Sequence, residues 1–204
     1  MQRDDIQKRF DALNGKATAD RWSGQRGDHD LNPTMRPSED LTPAAVLVPL
    51  VDRPEGLTVL LTQRTAHLND HAGQISFPGG RVEPEDPDHQ YAALREAEEE
   101  VGLPPDRVDV IGTLDYYIVR SGYRVTPIVG FVNPPFEVRA DPFEVAEVFE
   151  VPLSFVLDTD NHVLESRTDQ GVERTFYVLP YENRYIWGAT AGMLVNLSDV
   201  LAGK

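Results

Sequence analysis

Arg95-Glu96-Ala97-Glu98-Glu99-Glu100-Val101-Gly102-Leu103 places four glutamates within five positions and then stops on glycine. On a helix of 3.6 residues per turn, Glu96, Glu99 and Glu100 stand at i, i+3 and i+4 and share one face. Ala93, Leu94, Ala97 and Val101 fall on the adjoining arc, which predicts packing against a sheet, while Glu98 points away into solvent. Arg95 flanks the acidic face one turn before Glu99 and can hold that carboxylate. Gly102 closes the helix and Pro104 and Pro105 bar its continuation, so a helix is predicted over roughly 88–101.

Such a face is costly. Like charges at i, i+4 destabilise a helix by ~0.2–0.5 kcal/mol per pair, and these acids sit beside the negative end of the macrodipole, where a cation is favoured. Two readings stand level on this stretch alone: a solvated acidic surface, or a dock for a divalent cation, since carboxylate oxygens are the ligands Mg²⁺ prefers. Gly79-Gly80 breaks the tie. It ends a strand-like segment fifteen residues before Arg95, and glycine lets backbone approach an ion or a phosphate closely. The pair outlines a metal–phosphate site. There, a bound ion neutralises phosphate oxygens, lowers the pKa of water and aligns attack on phosphorus.

Composition narrows the classes further. The 204 residues suit one domain with an appended arm, and 19 Lys and Arg against 34 Asp and Glu give a net charge of −15. That surface repels phosphate backbones and anionic lipid, so no nucleic-acid polymer and no membrane are expected as partners. Absence of cysteine excludes disulfides, thiol nucleophiles and thiolate metal sites. The longest apolar run, Ala44 to Val51, is far short of the ~20 residues of a spanning helix, and the polar N-terminus lacks a secretory pattern. A cytoplasmic location is expected.

Residues 1–42 read as an N-terminal arm: a short helix marked by Ile6, Phe10 and Leu13, then a linker or extended wrap over Asn14 to Asp40. The domain, 43–204, opens with runs Ala44–Leu50 and Leu57–Thr62 around a turn-rich 52–56, predicting a hairpin. After the acidic helix, strands are predicted at 108–113, 115–119, 123–132 and 145–151, and a short helix at 152–157. A second hairpin is predicted at 162–166 and 175–179, and a final helix from 188 or 189 to 201 with Met193, Leu194, Leu197 and Leu201 near one face. The pattern predicts a mixed α/β sandwich.

The acidic segment resembles the Nudix box, Gly-x5-Glu-x7-Arg-Glu-U-x-Glu-Glu-x-Gly-U with U a bulky aliphatic. Arg95 to Leu103 match, with Ala97 at the first U; Asp86 stands where the box has Glu, one residue further from Arg95. Both departures are expected of one branch, the coenzyme A pyrophosphatases, whose upstream motif is similar to Leu60-Leu61-Thr62-Gln63-Arg64-Thr65, Asn69, Gly73 and Phe77-Pro78-Gly79-Gly80 in unbroken spacing. Thr65 replaces Ser or Ala, and Asn69 replaces an Arg, removing a charge and a phosphate fork. Further stretches at 122–127, 144–149 and 187–192 look like the same branch.

The resemblance implies an α/β Nudix fold, a mixed β-sheet sandwiched between helices, and hydrolysis of a nucleoside-linked diphosphate. For coenzyme A the products are 3′,5′-ADP and 4′-phosphopantetheine. It implies Glu96 and Glu100 as principal Mg²⁺ or Mn²⁺ ligands, Glu99 joining when more ions bind, and the Gly79 carbonyl as a further ligand. Glu144 is the candidate for a later-loop ligand or base; the plain alternative is an exposed acid before a strand. The expected partner is a small-molecule nucleotide, and a homodimer is left open.

In so acidic a chain an anionic substrate must find local cations. Arg64 and Arg81 flank the glycine loop together with Gly79 and Gly80, and Arg64 is expected on substrate phosphate; Arg120 and Arg124 are read as surface charges. His67 and His71, four apart without a second pair, are not read as a zinc site. Tyr116, Tyr117 and Tyr123 are assigned to packing rather than base stacking. Two alternatives to coenzyme A remain: another nucleoside diphosphate derivative such as ADP-ribose, NADH or a dinucleotide, which Asn69 keeps open, and a sensor that binds without cleaving, against which the three intact glutamates count.

Overall fold

A computed structural model describes residues 1–14, 26–67, 72–169 and 171–203. Part of the predicted linker, 15–25, lies outside them, as do Asn69 and His71.

The apolar run that opens the domain becomes its central strand. Strands β1 (Arg26–Gly27), β2 (Thr42–Val51), β3 (Thr58–Arg64), β4 (Ile75–Ser76), β5 (Gly79–Arg81), β6 (Val108–Thr113), β7 (Tyr117–Val119), β8 (Tyr123–Val132) and β9 (Val145–Pro152) form one mixed sheet among the described residues. β2 runs parallel to β8 along its whole length, Thr42↔Tyr123 to Val51↔Val132. Alternate residues of β2 face opposite layers, so Ala45, Leu47 and Val51 join one core cluster and Ala44, Val48 and Leu50 the other. A strand buried on both faces reads as an unbroken apolar run.

The first face is covered by the acidic helix, whose Ala92, Ala93, Ala97 and Val101 are buried against Leu47, Leu60 and Ile128. The opposite face receives α1 (Arg3–Asn14), α3 (Leu153–Leu157) and α4 (Gly188–Ala202), α2 being the acidic helix His89–Val101. In α1, Ile6 and Phe10 are fully buried, and Arg3 lies 4.3 Å over the Phe131 ring. The described remainder of the arm follows the domain, Arg26 and Gly27 pairing with Tyr117 and Ile118. A separate three-stranded sheet, β10 (Val163–Asp169), β11 (Val172–Tyr181) and β12 (Arg184–Trp187), lies against α4. No helix among the described residues is long and apolar enough to cross a membrane.

Two expectations need correction. The predicted first hairpin is paired only at its base, Leu50↔Val59 and Val51↔Thr58. Beyond that β3 diverges from β2 while remaining paired to β9 along its other edge, Thr58↔Pro152 to Arg64↔Val145, and β5 takes the vacated edge of β2, Ala44↔Arg81 to Val46↔Gly79. The final helix has no single apolar face, because residues 190–198 are buried without interruption. The small sheet, α1, α3 and β7 all contact it, and a helix enclosed on all sides needs no polar stripe.

Candidate active site

The acidic helix α2 starts on Asp88, whose side chain accepts a hydrogen bond from the Tyr91 N–H, and ends on Gly102 at φ 68°; the Gly102 N–H bonds back to the Glu98 carbonyl and the Leu103 N–H to that of Ala97. These caps fix the phase of the last two turns. Ala97 and Val101 face the sheet, which carries Glu100 inward and Glu98 outward, as the spacing predicts. Glu100 is buried, 5% exposed. One of its oxygens accepts from the Gly79 N–H at 3.1 Å and the other faces Arg64 Nη1 at 3.5 Å. Burial pushes the Glu100 carboxyl up to about 7, against the Gly79 N–H and the Arg64 charge, and Glu96 and Glu144 add to the rise. Burial likewise raises Glu96, opposed by Arg95 and reinforced by Glu99 and Glu144.

A side chain on either glycine would meet a neighbour, but not the same kind of neighbour. At Gly79 (φ 153°) a Cβ would come within 2.5 Å of the Ala45 carbonyl oxygen and 2.6 Å of Val46 Cα, the backbone of β2. At Gly80 it would instead meet the Glu96 carboxylate at 2.6 Å. The loop therefore rests on β2 while Glu96 rests on the loop. Arg95 fixes this arrangement: it grips Asp86 through Nε and Nη2, both at 3.0 Å, and reaches Glu96 at 2.9 Å and Glu99 at 3.2 Å. Hydrogen bonding from Arg95 holds the Asp86 carboxyl below the ordinary range. Arg95 thus positions the acids rather than contacting the cavity.

Arg64 ends β3 where its register with β9 shifts: Gln63 faces Glu147 and Arg64 faces Val145, so Ala146 of β9 is the extra residue. Arg64 joins Glu100 to Glu144, whose carboxylate lies 3.8 Å from Nη2. It also lines a cavity of about 680 Å³ shared with Gly79, Gly80, Arg81 and Tyr123. Arg81 donates to the Tyr123 hydroxyl at 2.7 Å. The far wall comes from the small sheet and the arm, with Arg167, Arg174, Phe176 and Trp187 opposite Asp28 and Asn32. Asn32 exchanges two hydrogen bonds with the Thr175 backbone, both at 2.9 Å, past the end of β12. Arg120 lines the same cavity, paired with Asp169 at 2.8 Å, and Arg124 lies over Tyr116. Tyr117 is buried and bonded to Asp28.

Glu96, Glu100, Glu144 and Arg64 are thus brought together around Gly79-Gly80. Glu99 is not: it is exposed at the rim and tied to Arg95. Among the described residues no three acids or histidines form a ready cation cage, because Arg95 and Arg64 draw the carboxylates to themselves. The donor set nonetheless fits a hard dication. Two carboxylates four residues apart are each destabilised by burial and by neighbouring acids, and one is cradled where a Cβ would intrude. The far wall escaped sequence reasoning; its one trace is an arginine on each side of the Asp169-to-Gly171 turn.

The NUDIX domain model matches residues 41–166. The uncharacterized Nudix hydrolase NudL of Escherichia coli K12 is 46% identical over 156 residues, 76% of this chain and 80% of that protein. The uncharacterized NudL of Photorhabdus laumondii is 42% identical over 167 residues, 82% and 89% respectively. Among solved structures, RenU, a Nudix hydrolase from M. smegmatis, superposes with a TM-score of 0.55 at 23% identity, covering 79% of this chain and 86% of that one. It shares the fold.

Proposed function

The chain belongs to the Nudix family, whose hydrolases act on pyrophosphate bonds, and from that premise we propose a Mg²⁺- or Mn²⁺-dependent diphosphatase acting on coenzyme A or its thioesters. It would release 3′,5′-ADP and 4′-phosphopantetheine or the acyl derivative. The observation that carries this reading is a single cavity running from Gly79-Gly80, behind which Glu96 and Glu100 sit, to five arginines, Arg64, Arg81, Arg120, Arg167 and Arg174, in a chain of net charge −15. Concentrated cation in an acidic protein supports an anionic substrate longer than one diphosphate.

In this reading Glu96 and Glu100 hold the cation beside Gly79, with Glu99 available at the rim. The cation supplies charge neutralisation of phosphate oxygens and a more acidic water. Glu144, half exposed and beside Arg64, takes the proton of the attacking water as its oxygen bonds to phosphorus and the bridging P–O bond breaks. Arg64 steadies the diphosphate, Arg81 and the glycine loop border it, and Arg95 keeps Glu96 in place.

A second reading is the same reaction on another nucleoside diphosphate derivative, favoured by Asn69 where the motif has arginine. Purified protein with Mg²⁺ or Mn²⁺ is offered coenzyme A, ADP-ribose, NADH, diadenosine polyphosphates and dNTPs. Preferred turnover of coenzyme A is expected and another preference selects the second reading. Tight binding without turnover marks a sensor and sinks both. Glu100→Gln is the inactive control.

A further inference from the structure

We propose that Arg167 and Arg174 form a second anion subsite, for a phosphomonoester carried on the nucleoside end of the substrate, away from the bond that is cut. This rests on the cavity being a nucleotide site, as proposed above. The two residues are direct cross-strand partners in the β10–β11 register. Like charges so placed are destabilising in a sheet, and among the described residues neither has a carboxylate within salt-bridge distance.

The pair is also held in wait. Arg167 lies 5.4 Å over Phe176, 5.2 Å over Tyr185 and 5.8 Å over Trp187, and donates to the Tyr185 hydroxyl at 2.7 Å. That hydroxyl in turn donates to Glu165 at 2.6 Å. Arg174 Nε is buried with no hydrogen-bond partner, an uncompensated donor of the kind that proteins avoid. Both residues line the cavity, whose acids are engaged elsewhere: Asp169 with Arg120, Asp28 with the Tyr117 hydroxyl and the Arg120 N–H. A dianionic phosphomonoester supplies the missing charge and accepts from two forks at once. Phe176 and Trp187, edge to face at 5.3 Å, offer ring surface to the attached base.

The test needs no turnover. Calorimetry in EDTA compares adenosine 3′,5′-bisphosphate with AMP on the full chain, on Arg174→Gln, on Arg167→Gln and on Arg174→Lys. The native protein should bind the bisphosphate at least about 10-fold tighter than AMP. Each Gln variant should lose that preference, its Kd for the bisphosphate rising about 10- to 100-fold while AMP changes less than about 2-fold, with Lys between. Melting points within about 4 °C of the native value exclude misfolding. Equal native affinities, binding of neither ligand, or equal weakening of both by the variants overturns the subsite. Preference for the bisphosphate without coenzyme A turnover leaves the subsite standing and refutes the proposed reaction. Turnover with equal affinities does the reverse.

Discussion

Adjacent glycines in the site should respond to alanine in opposite ways. Gly80 lies outside the left-handed region, so alanine is acceptable to its backbone. The new methyl meets only the Glu96 carboxylate, at 2.6 Å, the far end of a flexible side chain. Restoring ordinary contact moves that carboxylate by about 1 Å. The stability lost is the Glu96–Arg95 pair, partly exposed and worth under ~1 kcal/mol, offset by the ~0.4–1 kcal/mol that alanine removes from unfolded-chain entropy. Tm should stay within about 4 °C. A ~1 Å displacement in a reacting constellation costs on the order of 100-fold, so kcat/KM should fall by that factor, about 2.7 kcal/mol of transition-state stabilisation. Gly79→Ala instead drives its methyl into the backbone of β2, at 2.5 Å from the Ala45 carbonyl, and should cost about 2–3 kcal/mol of folding free energy. Urea unfolding and initial rates with Mn²⁺ on the best substrate of the panel read both. A Gly80→Ala enzyme with native kcat/KM, or one that unfolds as readily as Gly79→Ala, would refute the placement of Glu96 over the loop.

Phe10→Ala should destabilise the protein by about 3–5 kcal/mol in urea titrations, because Phe10 is fully buried in the main core; a loss below about 1 kcal/mol would mean that α1 is not docked. Arg64→Ala should lower kcat/KM about 10- to 100-fold, the worth of a charge-assisted contact, and unchanged kinetics would remove Arg64 from the site. EDTA should abolish turnover and leave the circular-dichroism melt within about 4 °C of native, with Mn²⁺ restoring activity; metal-independent turnover would contradict the carboxylate assignment. Burial alone would raise Glu150, but hydrogen bonds from Arg53 at 3.0 Å and Thr58 at 2.6 Å outweigh it and hold the carboxyl below its usual range. The stability this group contributes is complete above its unfolded pKa and lost as pH falls through the lower folded value. Glu150→Gln should therefore flatten the urea midpoint between about pH 5 and 3, and profiles parallel to native would contradict the coupling.

The acidic helix was legible because its signals are local. An Asp at the N-cap, an αL glycine at the end and small residues every three to four positions suffice to phase Glu96 and Glu100. Arg64 was legible only through its motif, since its place depends on a register shift against the distant strand β9. The transfer of β5 onto β2 was not legible: Gly79-Gly80-Arg81 has no strand propensity, and its pairing exists because β2 and β3 diverge. The arginines of the small sheet and the clasp at Asn32 were hidden for the same reason. They meet the glycine loop only through contacts spanning most of the chain, and no spacing rule reaches that far.

β2 is hydrogen-bonded along one edge to β8 and along the other to β3 and β5. Amide protons in so enclosed a strand exchange only when the whole molecule opens, and the glycine loop, bonded to it, inherits that persistence. At the other end Asn32 of the arm donates one hydrogen bond to the Thr175 carbonyl and accepts one from its N–H, and β1 and Asp28 tie the same arm to β7 and Arg120. The proposed cutting end thus rests on the part of the sheet that opens last.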